Sequence, residues 1–258
     1  MTADRALSIL VHGHSKVGKS TLSVTAPYPR LYLDVESASR FLPINKVEWN
    51  PLEGPPPEPD GTWDTCVVYV RDYTTMERTY QWLNQHDHHF KSLIIDSISE
   101  LQIRLQEKVA GREQMQMQQW GEMLRAFSGL LRDLRDLTMH PTNPLEALVL
   151  TAMTVDNGGR LSPYLQGQVK VQAPYLFDVV GYLYKEQVPS SNPEQPPTTV
   201  RKLLTRDQPQ FEAGERVGGR LPEFIESPNI EEMLDTVFPN TRSNTSTENV
   251  SNDNSEGN

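Results

Sequence analysis

Short apolar segments and amphipathic segments alternate along most of the chain. Segment 92–96 (SLIID) is almost entirely apolar and ends in an acidic residue, a pattern typical of a strand buried on both faces of a sheet. Similar segments, rich in β-branched and aromatic residues, recur before and after it. The other predicted strands are 7–11, 31–35, 66–70, 146–152, 179–184 and 198–205.

The longest helical periodicity runs from about residue 118 to residue 137. Its apolar residues recur at steps of three and four, so they share one face of an α-helix, and we expect that face to pack in the core. These residues are Trp120, Met123, Leu124, Phe127, Leu130, Leu131, Leu134 and Leu137. A second helix, capped by threonine, is predicted over 74–84, and a third over 19–25.

This alternation predicts an α/β fold with a mostly parallel central sheet, flanked by helices on both faces. We expect one domain over residues 1–238. Within it, residues 43–63 contain six prolines and two glycines, a composition typical of a surface insertion. Residues 239–258 are mostly Asn, Ser, Thr and Glu, which predicts a disordered tail.

Composition narrows the class of protein. The net charge of −10 argues against coating nucleic acid through overall attraction, so any DNA contact must be local. Cys66 is the only cysteine, which excludes a disulfide framework and fits a buried thiol. No apolar run approaches the roughly 20 residues of a membrane span, so we expect a cytoplasmic protein with no membrane partner.

Residues 13–20 (GHSKVGKS) match the pattern G-x-x-x-x-G-K-S/T, directly after a predicted strand and before a predicted helix. Its glycines let backbone N–H groups turn inward around a triphosphate, with Lys19 reaching the β- and γ-phosphates and Ser20 ligating Mg²⁺. We therefore expect ATP and Mg²⁺ as ligands. The predicted nucleotide-binding residues are Gly13, His14, Ser15, Lys16, Val17, Gly18, Lys19, Ser20 and Thr21.

Two acidic residues at strand ends complete this hypothesis. Asp96 ends the strand 92–96, where a carboxylate could hold the magnesium ion or cap the next helix. Glu36 follows the strand 31–35 and is the preferred candidate to orient the attacking water, with Asp34 as its rival. Parallel strands bring their carboxyl ends to one edge of a sheet, so both acids should lie near the phosphate loop. His12 and His14 flank Gly13 and receive no catalytic role.

The order of these motifs resembles that of the RecA-like ATPases: a P-loop, a strand ending D-x-E, a strand–helix unit and an apolar strand ending Asp-Ser. The resemblance covers residues 6–236 and implies a RecA-like P-loop NTPase core, with Glu36 as the catalytic base. More narrowly, the chain resembles phage-encoded single-domain ATPases described as recombinase-like or single-strand annealing proteins. Such a protein would work in the cytoplasm of the host cell.

The resemblance also implies self-association into a ring or filament, in which a basic residue completes the neighbouring site. The family segment A-K-x-R-x-G corresponds to 213–218 (AGERVG), where the lysine is missing. Arg216 is thus the candidate arginine finger, with Arg206 and Arg201 as alternatives. Where recombinases carry a polar sensor, commonly glutamine, Thr151 is the candidate here.

Family members carry DNA on loops that follow the Asp96 strand and the strand 146–152. Here these loops would be 104–118 and 155–170, with basic residues and one aromatic residue that could stack on bases. The resulting candidates for single-stranded DNA binding are Arg104, Lys108, Arg112, Arg160, Tyr164 and Lys170.

The sequence thus favours an oligomeric, Mg²⁺-dependent ATPase that binds single-stranded DNA in phage recombination or replication, with a phage or host protein of those processes as a partner. The alternative is a nucleotide-gated binding module, such as a helicase loader or packaging accessory ATPase. The acidic charge and the missing sensor glutamine favour that alternative. A small-molecule kinase is disfavoured because no lid-like arginine cluster is visible.

Overall fold

In the computed structural model, which describes residues 5–111, 113–189 and 196–239, ten strands form one sheet. They are β1 (Leu7–His12), β2 (Arg30–Asp34), β3 (Lys46–Glu48), β4 (Thr65–Tyr69), β5 (Ser92–Asp96), β6 (Ala147–Ala152), β9 (Val179–Val188), β10 (Thr198–Leu204), β11 (Gly214–Glu215) and β12 (Phe224–Glu226). Two further strands, β7 (Thr154–Asp156) and β8 (Leu161–Pro163), form a separate hairpin.

The helices of the described residues are α1 (Lys19–Ser23), α2 (Tyr73–Gln85), α3 (Ile98–Ala110), α4 (Met117–Asp136), α5 (Val169–Gln172) and α6 (Ile230–Val237). Short 3-10 turns occupy Ala38–Phe41, Leu137–Met139 and Ala173–Tyr175.

The strands of the sheet follow the order β12-β10-β9-β1-β6-β5-β2-β4-β3, and β11 also pairs with β9. All neighbours from β9 to β3 are parallel, whereas β10, β11 and β12 pair antiparallel. The expected α/β fold class, a mostly parallel sheet with helices on both faces, is confirmed.

Two hydrophobic cores cover the two faces of the sheet, because alternate residues of each strand point in opposite directions. Leu31 and Leu33 of β2 pack in the core that contains the apolar faces of α2, α3 and α4, while Tyr32 packs in the core that contains residues of α1 and α6. The helix predicted over 118–137 is α4, and its stripe is largely buried as expected.

The Pro-rich stretch 43–63 is more than a surface loop. Its residues Lys46–Glu48 form the edge strand β3, which pairs with β4. Trp49 and Trp63 are buried in the core that contains the apolar faces of α2, α3 and α4. Two tryptophans bury enough apolar area to hold an otherwise polar segment on the sheet, so the composition alone was misleading here. The tail segment 240–258 lies outside the described residues.

Two local expectations about helices were also wrong. The stretch 104–118, expected as a loop, lies largely in α3 and the start of α4. Helix α2 begins one residue earlier than predicted, and its cap is Asp72, whose carboxylate accepts from the backbone N–H of Thr75. An aspartate is as good a cap as threonine, and the capping geometry decides between them.

Strand register brings the candidate residues to one edge of the sheet. Asp34 of β2 lies opposite Asp96 of β5, and Val11 of β1 lies opposite Thr151 of β6. The loop with the phosphate-binding pattern follows β1 directly, so it opens on the same carboxyl edge. Within the described residues, no helix is both long and apolar enough to span a bilayer.

Candidate functional site

The loop between β1 and α1 forms one wall of a cavity of about 590 Å³ at the carboxyl edge of the sheet. Eight of the nine predicted nucleotide-binding residues line this cavity. The ninth, Val17, is buried in the core that contains residues of α1 and α6. The Lys19 ammonium donates to the carbonyl oxygens of Gly13 at 2.8 Å and His14 at 3.2 Å. Burial lowers the pKa of Lys19, and the nearby carboxylates of Asp96 and Glu36 oppose this shift.

Both glycines of the loop are required by the packing of the protein itself. A Cβ atom at Gly13 would lie 2.4 Å from the backbone oxygen of Leu183 in β9. Gly18 adopts a φ of +111°, which side chains rarely tolerate, and a Cβ atom there would lie 2.7 Å from Nε of Arg201. The glycine spacing therefore lets β9 and β10 approach the loop, in addition to freeing the loop's N–H groups.

Asp96 is held by side chains from the strands on either side of β5. Its Oδ2 accepts a hydrogen bond of 2.5 Å from the hydroxyl of Tyr32 in β2, and its Oδ1 accepts one from the hydroxyl of Thr151 in β6. The Tyr32 hydroxyl also interacts with the side chain of Ser20, and burial raises the pKa of this phenol. The two expected magnesium ligands, Ser20 and Asp96, are thus linked through one tyrosine.

The donor set of this cavity fits a magnesium ion shared with a nucleotide. Among the described residues, no group of three or more His, Cys, Asp or Glu side chains could hold a metal ion alone. Magnesium is usually held by one or two protein oxygens together with substrate phosphates and water. The Ser20 hydroxyl and the Asp96 carboxylate both line the cavity and would supply those oxygens.

Glu36 and Asp34, the two candidates for orienting water, have different surroundings. Glu36 lines the cavity and accepts a hydrogen bond from the hydroxyl of Ser97. Partial burial raises the pKa of Glu36, and the Ser97 hydroxyl opposes that shift. The carboxylate of Asp34 instead accepts from the N–H groups of Ala38 and Ser39, so it caps the turn that follows Glu36. Of these two acids, Glu36 is the one that lines the cavity.

Thr151 does not occupy the sensor position expected for it. Its side chain is fully buried, it does not line the cavity, and its hydroxyl donates to Asp96. The residues of this region that line the cavity are Met153 and Thr154. Ile95 of β5 is in register with Leu150 of β6, so the next residues, Asp96 and Thr151, have side chains on the same face of the sheet. Thr151 therefore positions Asp96 rather than contacting a phosphate.

His12 connects the phosphate loop to two distant segments, a link that the sequence pattern did not indicate. The ring is fully buried; its Nε2 donates to the carbonyl of Glu212 at 2.7 Å, and its Nδ1 lies 2.9 Å from the hydroxyl of Thr154. Burial lowers the pKa of His12 to about 4, so the ring is neutral near pH 7. The ring therefore fixes the hairpin β7–β8 against the end of β1.

Two basic residues of β9 and β10 reach the phosphate loop. Lys185 donates to the backbone oxygen of Lys16 at 3.0 Å, and Arg201 lines the cavity beside Gly18. The sequence offers Arg201 as an alternative arginine finger that acts on a neighbouring subunit. The structure instead brings it to the phosphate loop of its own chain, because β10 pairs with β9 and β9 pairs with β1.

Arg216 lies far from the phosphate loop of its own chain. Its neighbour Glu215 pairs with Val179 at the amino end of β9, whereas the loop follows the carboxyl end of β1. The guanidinium of Arg216 donates to the Asp178 carboxylate and to the carbonyls of Tyr175 and Leu176. It is committed to acceptors of its own chain, although 52% of its side chain remains exposed. Its action on a second copy stays a prediction.

Most of the expected DNA-binding cations are neutralised by carboxylates. Arg104 pairs with Glu100 and Glu107 along α3, and Lys108 pairs with Glu77 of α2. Arg160 pairs with Asp207, and Arg112 lies outside the described residues. Tyr164 is half-buried, and its carbonyl accepts from Ser99. Of the five cations among these candidates, Lys170 is the one that has no ion pair with a carboxylate within the part of the chain that the structure describes.

Lys170 belongs to a basic groove between α4 and α5 that sequence reasoning missed. This cavity of about 790 Å³ is also lined by Arg125 and Arg132, and none of the described acidic residues lines it. No carboxylate of the described residues lies within ion-pair distance of these three cations. A Cβ atom at Gly167 would meet Leu124 at 2.6 Å, so the glycine allows the two helices to approach. The apolar periodicity of α4 indicates only its buried face, whereas Arg125 and Arg132 lie on the solvent face of this helix. The sequence pattern therefore did not indicate them.

The fold and the cavity define a nucleotide-binding ATPase domain of the P-loop class. A scan against protein families matches residues 5–217 to the AAA domain, and the chain belongs to this family. Members of this class use ATP and Mg²⁺, in agreement with the donor set described above. No curated protein matches the chain.

Among solved structures, the chain is similar to a KaiC-like protein from the hyperthermophilic archaeon Pyrococcus horikoshii OT3. The two chains are 15% identical, the match covers 87% of this chain and 90% of that chain, and the TM-score is 0.42. The family assignment rests on the sequence match over residues 5–217.

Proposed function

We propose that this protein hydrolyses ATP with the help of Mg²⁺. The observation that carries the proposal is the convergence of Lys19, Ser20, Asp96 and Glu36 on one cavity at the carboxyl edge of the sheet. A cation, two oxygen ligands and a carboxylate with a raised pKa are the groups that phosphoryl transfer to water requires.

In this proposal the residues have separate roles. The loop N–H groups and Lys19 bind the phosphates, and Lys19 exchanges its present carbonyl acceptors for phosphate oxygens. Ser20 and Asp96 would hold Mg²⁺, which would neutralise charge on the β- and γ-phosphates when bound. Glu36 orients the attacking water and accepts its proton, while Ser97 holds the Glu36 side chain in place.

The test is the binding of a fluorescent ATP analogue with Mg²⁺, followed by measurement of phosphate release. Lys19→Ala should reduce affinity by at least tenfold, because a charge-assisted contact to phosphate is lost. Lys46→Ala, on the edge strand β3, is the matched control and should bind as the wild type does. If the wild-type protein bound neither ATP nor ADP in the presence of Mg²⁺, the proposed function would be wrong.

We further propose that the ATPase binds single-stranded DNA in recombination or replication. The basic groove between α4 and α5 supports this role, because Arg125, Arg132 and Lys170 form a cationic surface on a chain with a net charge of −10. A local cationic groove is what a protein of this overall charge would need to hold a phosphate backbone. The phage origin implied by the motif order stays a prediction.

DNA binding is tested by the anisotropy of a labelled single strand, measured at several salt concentrations with and without nucleotide. Replacing Arg125, Arg132 and Lys170 by glutamine should weaken binding. It should also make the slope of log affinity against log salt concentration shallower by about 0.7 per lost phosphate contact. The control replaces Arg104, Lys108 and Arg160, which carry the same charge but have carboxylate partners. Equal losses of DNA affinity in both variants would argue against the groove as the DNA-binding site.

We also propose that the protein self-associates when nucleotide is bound. Phe41 is 85% exposed and lines the mouth of the nucleotide cavity together with Leu42, where an apolar surface could pack against a second copy. Size measurement with and without a non-hydrolysable ATP analogue tests this step. Nucleotide binding without DNA binding would instead favour a nucleotide-gated module that acts through protein contacts.

A further inference from the structure

Arg201 lies against the phosphate loop of its own chain. It belongs to β10, and its side chain covers the peptide at Gly18, where a Cβ atom would approach Nε to 2.7 Å and Cζ to 3.1 Å. It lines the same cavity as Lys19, Ser20 and Asp96. The guanidinium thus adds to Lys16 and Lys19 a cation from a distant part of the chain, at the cavity where the triphosphate would lie.

This guanidinium has no acidic partner among the described residues, unlike other basic residues of the same region. The adjacent Lys202, on the opposite face of β10, pairs with both Glu186 and Glu226. Arg206, just beyond the end of the strand, pairs with Glu215. Arg201 is the basic residue of β10 that faces the phosphate loop, and no carboxylate of the described residues lies within ion-pair distance of it.

The strand that carries Arg201 is fixed relative to the loop. Lys202 of β10 is in register with Tyr184 of β9, and the neighbouring Lys185 donates to the backbone oxygen of Lys16. The backbone oxygen of Arg201 accepts from the N–H of Ser227, which ties this position to the next segment. The backbone at Arg201 is therefore fixed beside the loop, and the planar fork of a guanidinium suits phosphate oxygens.

We propose that Arg201 binds the phosphate chain of the nucleotide held by its own subunit. The inference rests on the proposed nucleotide binding and adds a residue that lies outside the phosphate-loop motif. It makes nucleotide affinity depend on the pairing of β10 with β9, so the antiparallel edge of the sheet becomes part of the binding site. The arginine acts in cis, and the site needs no second copy for this contact.

The experiment measures the dissociation constants of fluorescent ATP and ADP analogues for the wild type, Arg201→Ala and Arg201→Lys. Lys202→Gln is the matched control, because it removes a positive charge from the next residue on the opposite face. Thermal unfolding is recorded for each variant. We expect Arg201→Ala to weaken binding by about tenfold to a hundredfold, Arg201→Lys to weaken it less, and Lys202→Gln to leave it unchanged.

A mixing experiment separates action in cis from action in trans. Arg201→Ala and Lys19→Ala proteins are combined, and nucleotide affinity is measured again. If Arg201 served a neighbouring subunit, mixed assemblies would contain sites with an intact loop and an intact arginine, and affinity would recover. We expect no recovery.

Three results would overturn the inference. Wild-type affinity in a folded Arg201→Ala protein would show that the arginine makes no contact, while leaving the proposed function intact. Recovery on mixing would show that it acts on another copy. A wild-type protein that bound no nucleotide would overturn both the inference and the proposed function.

Discussion

The hydroxyl of Tyr32 donates a hydrogen bond of 2.5 Å to Oδ2 of Asp96, across the parallel strands β2 and β5. The tyrosine ring is fully buried in the core on the α1 side, so its position is set by packing. Because the Thr151 hydroxyl donates to the other carboxylate oxygen, Asp96 is oriented from both sides before any ligand binds. Residues that orient a metal ligand in this way tune the site without touching the metal.

Tyr32→Phe should weaken the site while preserving the fold. Loss of the donor removes one of the groups that orient Asp96, and such changes typically reduce metal affinity about tenfold or more. The expected result is a higher Mg²⁺ concentration for half-maximal ATP hydrolysis. Tyr69→Phe is the control, because the Tyr69 hydroxyl contacts Lys46 and Glu48 at the sheet edge. An unchanged Mg²⁺ dependence in Tyr32→Phe would contradict this role for the tyrosine.

Glu36→Gln should retain nucleotide binding and lose hydrolysis by about two orders of magnitude or more, because glutamine cannot accept the proton of water. In the wild type, hydrolysis should rise with pH as Glu36 deprotonates. Since partial burial raises the pKa of Glu36, this rise should lie above the ordinary glutamate range. Phosphate release and binding of the ATP analogue are measured for both proteins across pH.

The same variant has an expected effect on stability. A carboxylate with a raised pKa binds its proton more tightly in the folded protein, so its stabilising contribution is present at low pH and is lost as pH rises through the folded-state pKa. Glu36→Gln should therefore unfold at a slightly higher denaturant concentration than the wild type at neutral pH.

Normal ATP turnover by Glu36→Gln would exclude Glu36 as the base that accepts the proton of water.

Gly13→Ala should destabilise the folded protein by about 1–3 kcal/mol even without nucleotide, because the new Cβ atom would overlap the backbone oxygen of Leu183. Gly129→Ala in α4 is the opposite case, since nothing lies within 4 Å of its Cβ position. That change should stabilise the protein by about 0.5–1 kcal/mol. Chemical denaturation of both variants gives the comparison, and equal effects would show that close approach at Gly13 is unimportant.

The stability of the protein should fall between about pH 6.5 and pH 4, in part because of His12. Burial lowers the pKa of His12 to about 4 in the folded protein, so below the ordinary histidine value only the unfolded chain takes up the proton. The contribution of this group is complete above pH 6.5 and decreases as pH falls, by about 3 kcal/mol over this interval.

Denaturation curves across this pH range, recorded for the wild type and His12→Gln, test the effect of His12. The variant should lose stability less steeply, because glutamine does not titrate. His14→Gln, at an exposed position beside the same glycine, should follow the wild type. Parallel curves for His12→Gln and the wild type would show that the buried ring does not control this pH dependence.

The sequence by itself determined seven strands of the sheet, the helices α1, α2 and α4 and the phosphate loop, because each depends on residues close together in the chain. The apolar segment 92–96 became β5 with the predicted bounds, and Asp96 lies at the edge where parallel strands end. The prediction failed where distant segments meet. Trp49 and Trp63 turned a Pro-rich stretch into part of the core, and Thr151 bonds to Asp96 instead of lining the cavity.

Only the tertiary structure decided which charged side chains remain free. The sequence shows the cations but not their partners, so it could not tell that Arg104 and Lys108 are paired with carboxylates. Nor could it tell that Arg125 and Lys170 have no carboxylate partner in the described part of the chain. It also could not bring Arg201 to the phosphate loop, because that contact requires β10 to pair with β9 and β9 with β1. Local patterns fix local geometry, whereas the charge of a site depends on strand order and register, which no short segment encodes.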